Sequence, residues 1–350
     1  MKAWEKNIRK VEPYVPGEQP NQEGMIKLNT NECPYPPAPG VKKILENFDP
    51  DCLRLYPDPA AESLTKVLAD YYHLNQNQVF VGVGSDDVLG TAFLTFFNSD
   101  KPILFPNITY SFYPVWADLY RIPYECQPLD ESFHIVKEDY YKENGGVIFP
   151  NPNAPTAVLE SLDTIEEIVA HNQDVIVIVD EAYIDFGGKS ALPLIEKYDN
   201  LLIVQTFSKS RAMAGMRIGF AMGNPKLIQA MNDVKFSYNS YTMNQTSLQI
   251  GCEAVRDVAY FQSTLKKIIQ TREEAKVKLK ELGFHFPDSQ ANFIFAEHET
   301  AKAEDIFQYL RTKKIYVRHF NTPGIDNYLR ITIGTEEEMQ KLYKELENYL

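Results

Sequence analysis

Three stretches of this chain are apolar at every position and too short to be helices. They are Val147-Ile148-Phe149, Val175-Ile176-Val177-Ile178-Val179 and Leu201-Leu202-Ile203-Val204. A short apolar run without alternation reads as a strand buried on both faces. Such strands belong to parallel sheets covered by helices on each side. Residues 78–84 and 102–105 read as further strands. Helical patterns occupy 41–48, 62–72, 85–97, 112–120 and 162–171. Strands that alternate with helices from about 78 to 206 specify an α/β fold, with a mostly parallel central sheet and helices on both faces.

Beyond residue 241 the texture changes. Residues 245–282 read as long, highly charged helices, and 292–295, 315–317 and 328–333 as short strands, with a helix over 301–313. Thr335 and Glu338 form a capping box, and Met339, Leu342, Leu346 and Leu350 give the last helix its apolar stripe. This end reads as a small α+β domain. Residues 1–40 are rich in Pro, Asn and Glu, and only Met25-Ile26-Lys27-Leu28 alternates as a strand would. The expected organisation is an N-terminal arm and small-domain segment over 1–40, a large domain over 41–245, and a small C-terminal domain over 246–350.

Charge and cysteine usage limit the partners. A net charge of −13 argues against nonspecific nucleic-acid binding, which needs a basic surface. Cys33, Cys52, Cys126 and Cys252 are scattered, which argues against a disulfide framework and a zinc ribbon and fits a reducing compartment. MKAWEKNIRK lacks the apolar core of a secretory signal. No apolar run approaches the roughly 20 residues that span a bilayer. The expectation is a cytoplasmic protein with small-molecule ligands, no metal, no nucleic acid and no membrane.

In open α/β sheets, ligands bind beyond the carboxyl ends of the strands. Ser85, Tyr110, Asn153, Asp180, Tyr183 and Lys209 all fall there. Lys209 sits in the polar turn Thr206-Phe207-Ser208-Lys209-Ser210, with Arg217 following. Hydroxyls and a guanidinium around a lysine could hold a phosphate dianion. Two readings stay open: a Schiff-base lysine carrying pyridoxal phosphate (PLP), or a solvated lysine in a polar turn. Gly82 and Gly84 invite a dinucleotide reading, but the third glycine of GxGxxG falls on Asp87. What survives is a strand–turn–helix with Ser85 as expected N-cap, whose amides suit a phosphate. Arg318 and Arg330 are either solvated or an anion clamp. Asn31 and Glu32 are turn formers or site-lining residues.

The stretches LNTNECPYPP, RLYPDP, GVGSDD, NPNAPT, DEAYIDF, TFSKSRAMAGMRIGF, QANFIF and LRITIGT occur in this order over nearly the whole chain. Together they resemble the fold-type-I PLP enzymes of the aminotransferase superfamily. The resemblance implies that Lys209 carries the cofactor, that Asp180 pairs with the pyridine nitrogen and that Tyr183 donates to the ring's 3-oxygen. It implies that Tyr110 stacks on the ring. Gly84, Ser85, Asp86, Ser208 and Arg217, helped by Thr206, would hold the phosphate. Tyr56 would reach the phosphate of the neighbouring subunit, which implies a homodimer. Arg330 and Arg318 would hold the substrate's anionic groups, and Asn31 and Glu32 would lie over the pocket.

The implied reaction transfers an amino group between histidinol phosphate and 2-oxoglutarate in histidine biosynthesis. An aromatic amino acid aminotransferase and a phosphothreonine-decarboxylase-like lyase are alternatives on the same scaffold. The presence of Lys209, Asp180, Tyr183 and Arg217 argues against a non-catalytic binding protein. One departure stands out. The superfamily usually has NPNNPTG, and this chain has NPNAPTA, with Ala154 in place of the asparagine that contacts the 3-oxygen and Ala157 in place of the glycine. Either Asn153 reaches in, or Tyr183 does that work alone.

Overall fold

The apolar runs form the middle of a seven-stranded sheet. The computed structural model describes residues 2–350. Across the sheet the strands run Val79–Gly82, Gly219–Gly223, Leu201–Thr206, Val177–Asp180, Val147–Pro150, Ile103–Pro106 and Tyr124–Gln127. All neighbours are parallel except at Gly219–Gly223, which is antiparallel to both strands beside it. That strand and Tyr124–Gln127 are absent from the sequence reading. The first begins and ends in glycine, which weakens its strand signal. The second is an edge strand whose residues Tyr124, Glu125 and Cys126 are exposed, so it lacks the apolar run of its neighbours.

Successive strand residues point to opposite faces, and both faces are buried. Val177, Val179, Leu201 and Ile203 join one core with Leu64, Leu68, Ile165 and Ile168 of helices Glu62–Tyr72 and Leu162–His171. Ile178, Leu202 and Val204 join the other, with Val88, Phe93, Tyr113 and Trp116 of helices Gly84–Phe96 and Phe112–Tyr120. Helix Gln245–Arg256 gives Leu248, Ile250, Ala254 and Val255 to the first core. We therefore propose that the C-terminal unit begins with helix Val258–Glu281 rather than at residue 246.

That unit has an antiparallel four-stranded sheet in the order Arg318–His319, Leu329–Thr332, Phe293–His298, Phe284–His285. Helices Val258–Glu281, Ala303–Thr312 and Glu336–Tyr349 cover it, and Leu279, Leu310, Leu342 and Leu346 fill its core. The Thr335–Glu338 capping box forms in both directions. Ile26–Lys27 pairs in parallel with Ile315–Tyr316, and Ile26 and Leu28 enter the same core. The first segment of the chain thus packs with the last. Among the described residues, no helix is long and apolar enough to cross a membrane.

The start of helix Gly84–Phe96 differs from expectation. Val83, not Ser85, is the N-cap, and Ser85 lies inside the first turn. Gly84 has φ 83°, a left-handed conformation that glycine adopts without strain. The Asp87 carboxylate accepts from the Val83 N–H at 2.8 Å, and no side chain caps the first-turn amides. Gly219, on the antiparallel strand, lies directly beneath this turn. A Cβ there would sit 2.3 Å from the Ser85 nitrogen and from the Gly84 carbonyl carbon. Gly219→Ala must therefore push the helix start off the sheet. The expected cost is about 1–3 kcal/mol in denaturant unfolding. An unchanged midpoint would contradict the tight contact.

Candidate active site

The carboxyl ends of three strands and the start of helix Gly84–Phe96 meet around Asp180. Its side chain is 4% exposed. The Tyr113 hydroxyl donates to Oδ2 at 3.1 Å and the Ala182 N–H to Oδ1 at 3.2 Å. Burial pushes the Asp180 pKa up to about 6, although those two donors and Lys209 oppose the rise. A buried carboxylate with so little compensation suits a cationic ring N–H as partner. Tyr113 escaped the sequence reading, although the aromatic run Tyr110-Ser111-Phe112-Tyr113 was its signal.

Lys209 follows the central strand Leu201–Thr206 and is partly buried. Its Nζ donates to the Thr30 carbonyl at 3.1 Å and lies 5.6 Å from the centre of the Tyr183 ring. The N-terminal segment therefore rests on the lysine. Tyr183 is buried and meets Phe293 edge-on at 5.1 Å. Its hydroxyl accepts from Asn31 Nδ2 at 2.9 Å.

The other end of the site is a compact polar cluster. Arg217 donates to Ser208 Oγ at 3.3 Å and to Asp86 Oδ2 at 2.8 Å. Thr206 Oγ1 donates to Ser208 Oγ at 3.0 Å and accepts from the Ser208 N–H. Tyr110 donates to Asp86 Oδ1 at 2.7 Å, and burial together with Asp86 drives its pKa well up. A Cβ on Gly84 would lie 2.5 Å from an Arg217 nitrogen. The first-turn amides of Gly84, Ser85 and Asp86 have no intrahelical acceptors. Amides, hydroxyls and a guanidinium in one pocket fit a phosphate. With Asp180 and Lys209 beside them, these residues fit PLP.

Arg318 and Arg330 are direct cross-strand partners in the small sheet. Like charges opposite each other destabilise a sheet. Among the described residues no carboxylate pairs with either. Arg330 donates to the Asn29 carbonyl at 3.0 Å, and its Nε is buried with no partner. Burial lowers the Arg330 pKa, and Arg318 lowers it further against the opposing influence of Tyr183. Both guanidiniums lie 5.7 Å from the Phe320 ring. An anion is what this pair lacks. Tyr14 of the arm stacks on Phe112 at 4.1 Å and lies close to Tyr110 and Arg330. Nothing in the surrounding Val11–Gly17 sequence marks it as part of a site.

Some expected residues stand apart. Asn153 Nδ2 donates to the Ile108 carbonyl and to Thr156 Oγ1, both at 3.0 Å, and its Oδ1 has no partner. Ala154 and Ala157 pack in the apolar cluster of the small domain. Glu32 pairs with Lys27 and accepts from Thr30 Oγ1. Burial alone would raise its pKa, but Lys27, Thr30 and Lys209 bring it below the ordinary value. Tyr56 is 82% exposed and packs on Tyr241 at 4.6 Å, away from the Arg217 cluster of its own chain.

The burial of Asp180 sets a pH dependence. Its folded pKa lies above the ordinary 3.8, so folding favours the protonated form. Asp180 costs nothing below about pH 4 and destabilises as pH rises through about 6, by about 3 kcal/mol in all. The cofactor-free Asp180→Asn protein should match the parent in urea unfolding near pH 4. It should exceed the parent by about that amount at pH 8. Glu181, pushed by burial up to about 7, affects both proteins alike. Equal stability at both pH values would refute the assignment.

With this geometry in hand, the relatives can be compared. The profile of the family described as aminotransferase class I and II matches residues 23–346. A protein named histidinol-phosphate aminotransferase from Lactococcus lactis subsp. cremoris is 51% identical over 348 residues, covering 99% of this chain and 98% of its own. One of the same name from Brachyspira hyodysenteriae is 52% identical over 332 residues, covering 95% and 94%. Among solved structures, histidinol-phosphate aminotransferase from Clostridium acetobutylicum superposes with a TM-score of 0.86 at 23% identity, covering 93% of this chain and 99% of its own. The Sinorhizobium meliloti enzyme in complex with pyridoxal-5'-phosphate gives 0.84 at 20% identity, covering 93% and 92%. These two distant structures share the fold.

Proposed function

The chain belongs to the class I and II aminotransferases and is a PLP-dependent enzyme; on that premise we propose that it transfers an amino group from histidinol phosphate to 2-oxoglutarate. The products are imidazole acetol phosphate and glutamate, and the step belongs to histidine biosynthesis. The observation that carries the substrate class is the Arg318–Arg330 pair, two facing guanidiniums with no carboxylate between them. One guanidinium can grip phosphate in one half-reaction and carboxylate in the other. The full-length relatives of that name support the same reading.

When bound, PLP supplies a protonated pyridine ring that withdraws electrons from the substrate Cα–H bond. Asp180 would hold the ring-nitrogen proton, and its burial would strengthen that pairing. Lys209 would hold the cofactor, and its Nζ, when free, would take up the proton from the substrate Cα. The Thr30 carbonyl supplies a resting place for that amine. Tyr183 would donate to the cofactor's 3-oxygen, Tyr110 would flank the ring, and the cluster of Gly84, Ser85, Asp86, Thr206, Ser208 and Arg217 would hold the phosphate. Tyr14 and the arm shield the reacting atoms from water.

The homodimer reading is supported by Tyr56. An exposed aromatic pair, Tyr56 and Tyr241, with exposed Leu53, Leu55 and Tyr238 nearby in sequence, suits a surface that a second copy would cover. Tyr56 would complete the phosphate cluster of the second subunit. The four cysteines are unpaired, which supports a reducing, cytoplasmic location.

The visible spectrum is the first test. PLP-loaded protein should lose its lysine-linked band on adding histidinol phosphate without an oxo acid. Loss of the band with phenylalanine or tyrosine but not with histidinol phosphate would move the substrate to the aromatic class. Lys209→Ala should abolish both the band and turnover. Arg318→Ala should lower kcat/KM for histidinol phosphate by about 10²–10³-fold, through loss of charge-assisted hydrogen bonds. The effect on 2-oxoglutarate should be smaller. A hybrid dimer of Lys209→Ala and Tyr56→Ala subunits contains one intact site if Tyr56 acts on its neighbour. Activity in the hybrid, with little in either parent, is the expected outcome.

A further inference from the structure

Asn31 is expected over the substrate pocket, yet each of its four polar groups is already engaged within the protein, with one Nδ2 proton to spare. It is 1% exposed, in the left-handed region at φ 57°. Its N–H donates to Thr332 Oγ1 at 3.1 Å, and its carbonyl accepts from Asn292 Nδ2 at 3.0 Å. Its Oδ1 accepts from Thr332 Oγ1 at 3.1 Å, and its Nδ2 donates to the Tyr183 hydroxyl at 2.9 Å.

As placed, Thr332 Oγ1 accepts from the Asn31 N–H and offers its single proton to the side-chain oxygen. The nitrogen faces Tyr183, and the phenol oxygen accepts there. Turned over, the amide would leave the Thr332 proton without an acceptor among the described residues and spend the Tyr183 proton on Asn31. A phenol that accepts on one side has its own proton to direct elsewhere. No acceptor for that proton lies within hydrogen-bond distance among the described residues. The Tyr183 ring is fixed edge-on by Phe293 and faces Lys209 Nζ. From the flank at residues 153 and 154 no second donor comes. Ala154 has no polar side chain, and the Asn153 amide nitrogen is engaged with Ile108 and Thr156.

We infer that Asn31 is a positioning residue, which fixes Tyr183 so that its one hydroxyl proton points into the cleft, toward the 3-oxygen of PLP. The inference rests on the PLP reading above. It assigns Asn31 a task that a second donor from position 154 would otherwise share. The other three bonds of Asn31 run to Thr332 and Asn292 on the small domain, so the aim of the Tyr183 donor is set by that domain's position.

The readout is the pH midpoint at which the lysine-linked band of PLP-loaded protein changes. A donor to the 3-oxygen favours its deprotonated form, so weakening the donor moves the midpoint upward. Asn31→Ala should raise it by about one unit. Asn31→Asp keeps the shape but accepts the Tyr183 proton, and should raise it at least as much. Tyr183→Phe should raise it too, and the Asn31→Ala/Tyr183→Phe double variant should sit at the Tyr183→Phe value. An unmoved midpoint with raised KM in both Asn31 variants would make Asn31 a substrate contact and overturn the inference. Additive shifts in the double variant would overturn it as well. A parent protein with no visible band after PLP addition would overturn the PLP reading and this inference together. A parent band with unmoved variants overturns only the inference.

Discussion

A carboxylate at the end of a central strand, enclosed and with no ion-pair partner among the described residues, is the constraint from which the site takes its form. Asp180 is carried there by Val177–Asp180, one of the apolar strands that both cores require. The same burial that stabilises the strand raises the cost of its terminal charge. Tyr113 and the Ala182 amide offset part of that cost. The rest is what the proposed ring-nitrogen cation would offset. Stability and chemistry are therefore opposed at one residue, as is common where a site is preorganised.

A second opposition lies at the small domain. Arg318 and Arg330 face each other across two paired strands, where the sheet would favour opposite charges. The arm closes over the same region. Asn29, Thr30 and Asn31 are consecutive, and each serves a different element: the Arg330 guanidinium, the Lys209 amine and the Tyr183 hydroxyl. Three consecutive residues thus tie both domains together across the candidate site.

Much of this was legible in the sequence. The apolar runs at 147–149, 175–179 and 201–204 specified buried parallel strands because no other element can bury so short a segment on both faces. The capping box at Thr335 and Glu338 was legible because its signal is local. Gly219–Gly223 and Tyr124–Gln127 were not, since one begins and ends in glycine and the other is an exposed edge. Ser85 looked like a cap because its hydroxyl is a good acceptor, but Gly84 turns left-handed and the cap falls two residues earlier, at Val83. Tyr14 could not be found, because its place depends on where the arm crosses helix Phe112–Tyr120. The Asn31 network joins residues some three hundred positions apart, and no local pattern encodes such a partnership.

The pairing of Ile26–Lys27 with Ile315–Tyr316 also bears on how the enzyme is made. A ribosome adds about 5–20 residues per second, so the first strand waits some tens of seconds for its partner to emerge. Through that interval Ile26 and Leu28 have no core to enter, and Thr30 and Asn31 have no fixed place over the lysine. The large domain can close its sheet while synthesis continues, but a working site can form only after the last hundred residues have been made. Loss of the final helix would thus be felt at the opposite end of the chain, in the arm that covers the lysine.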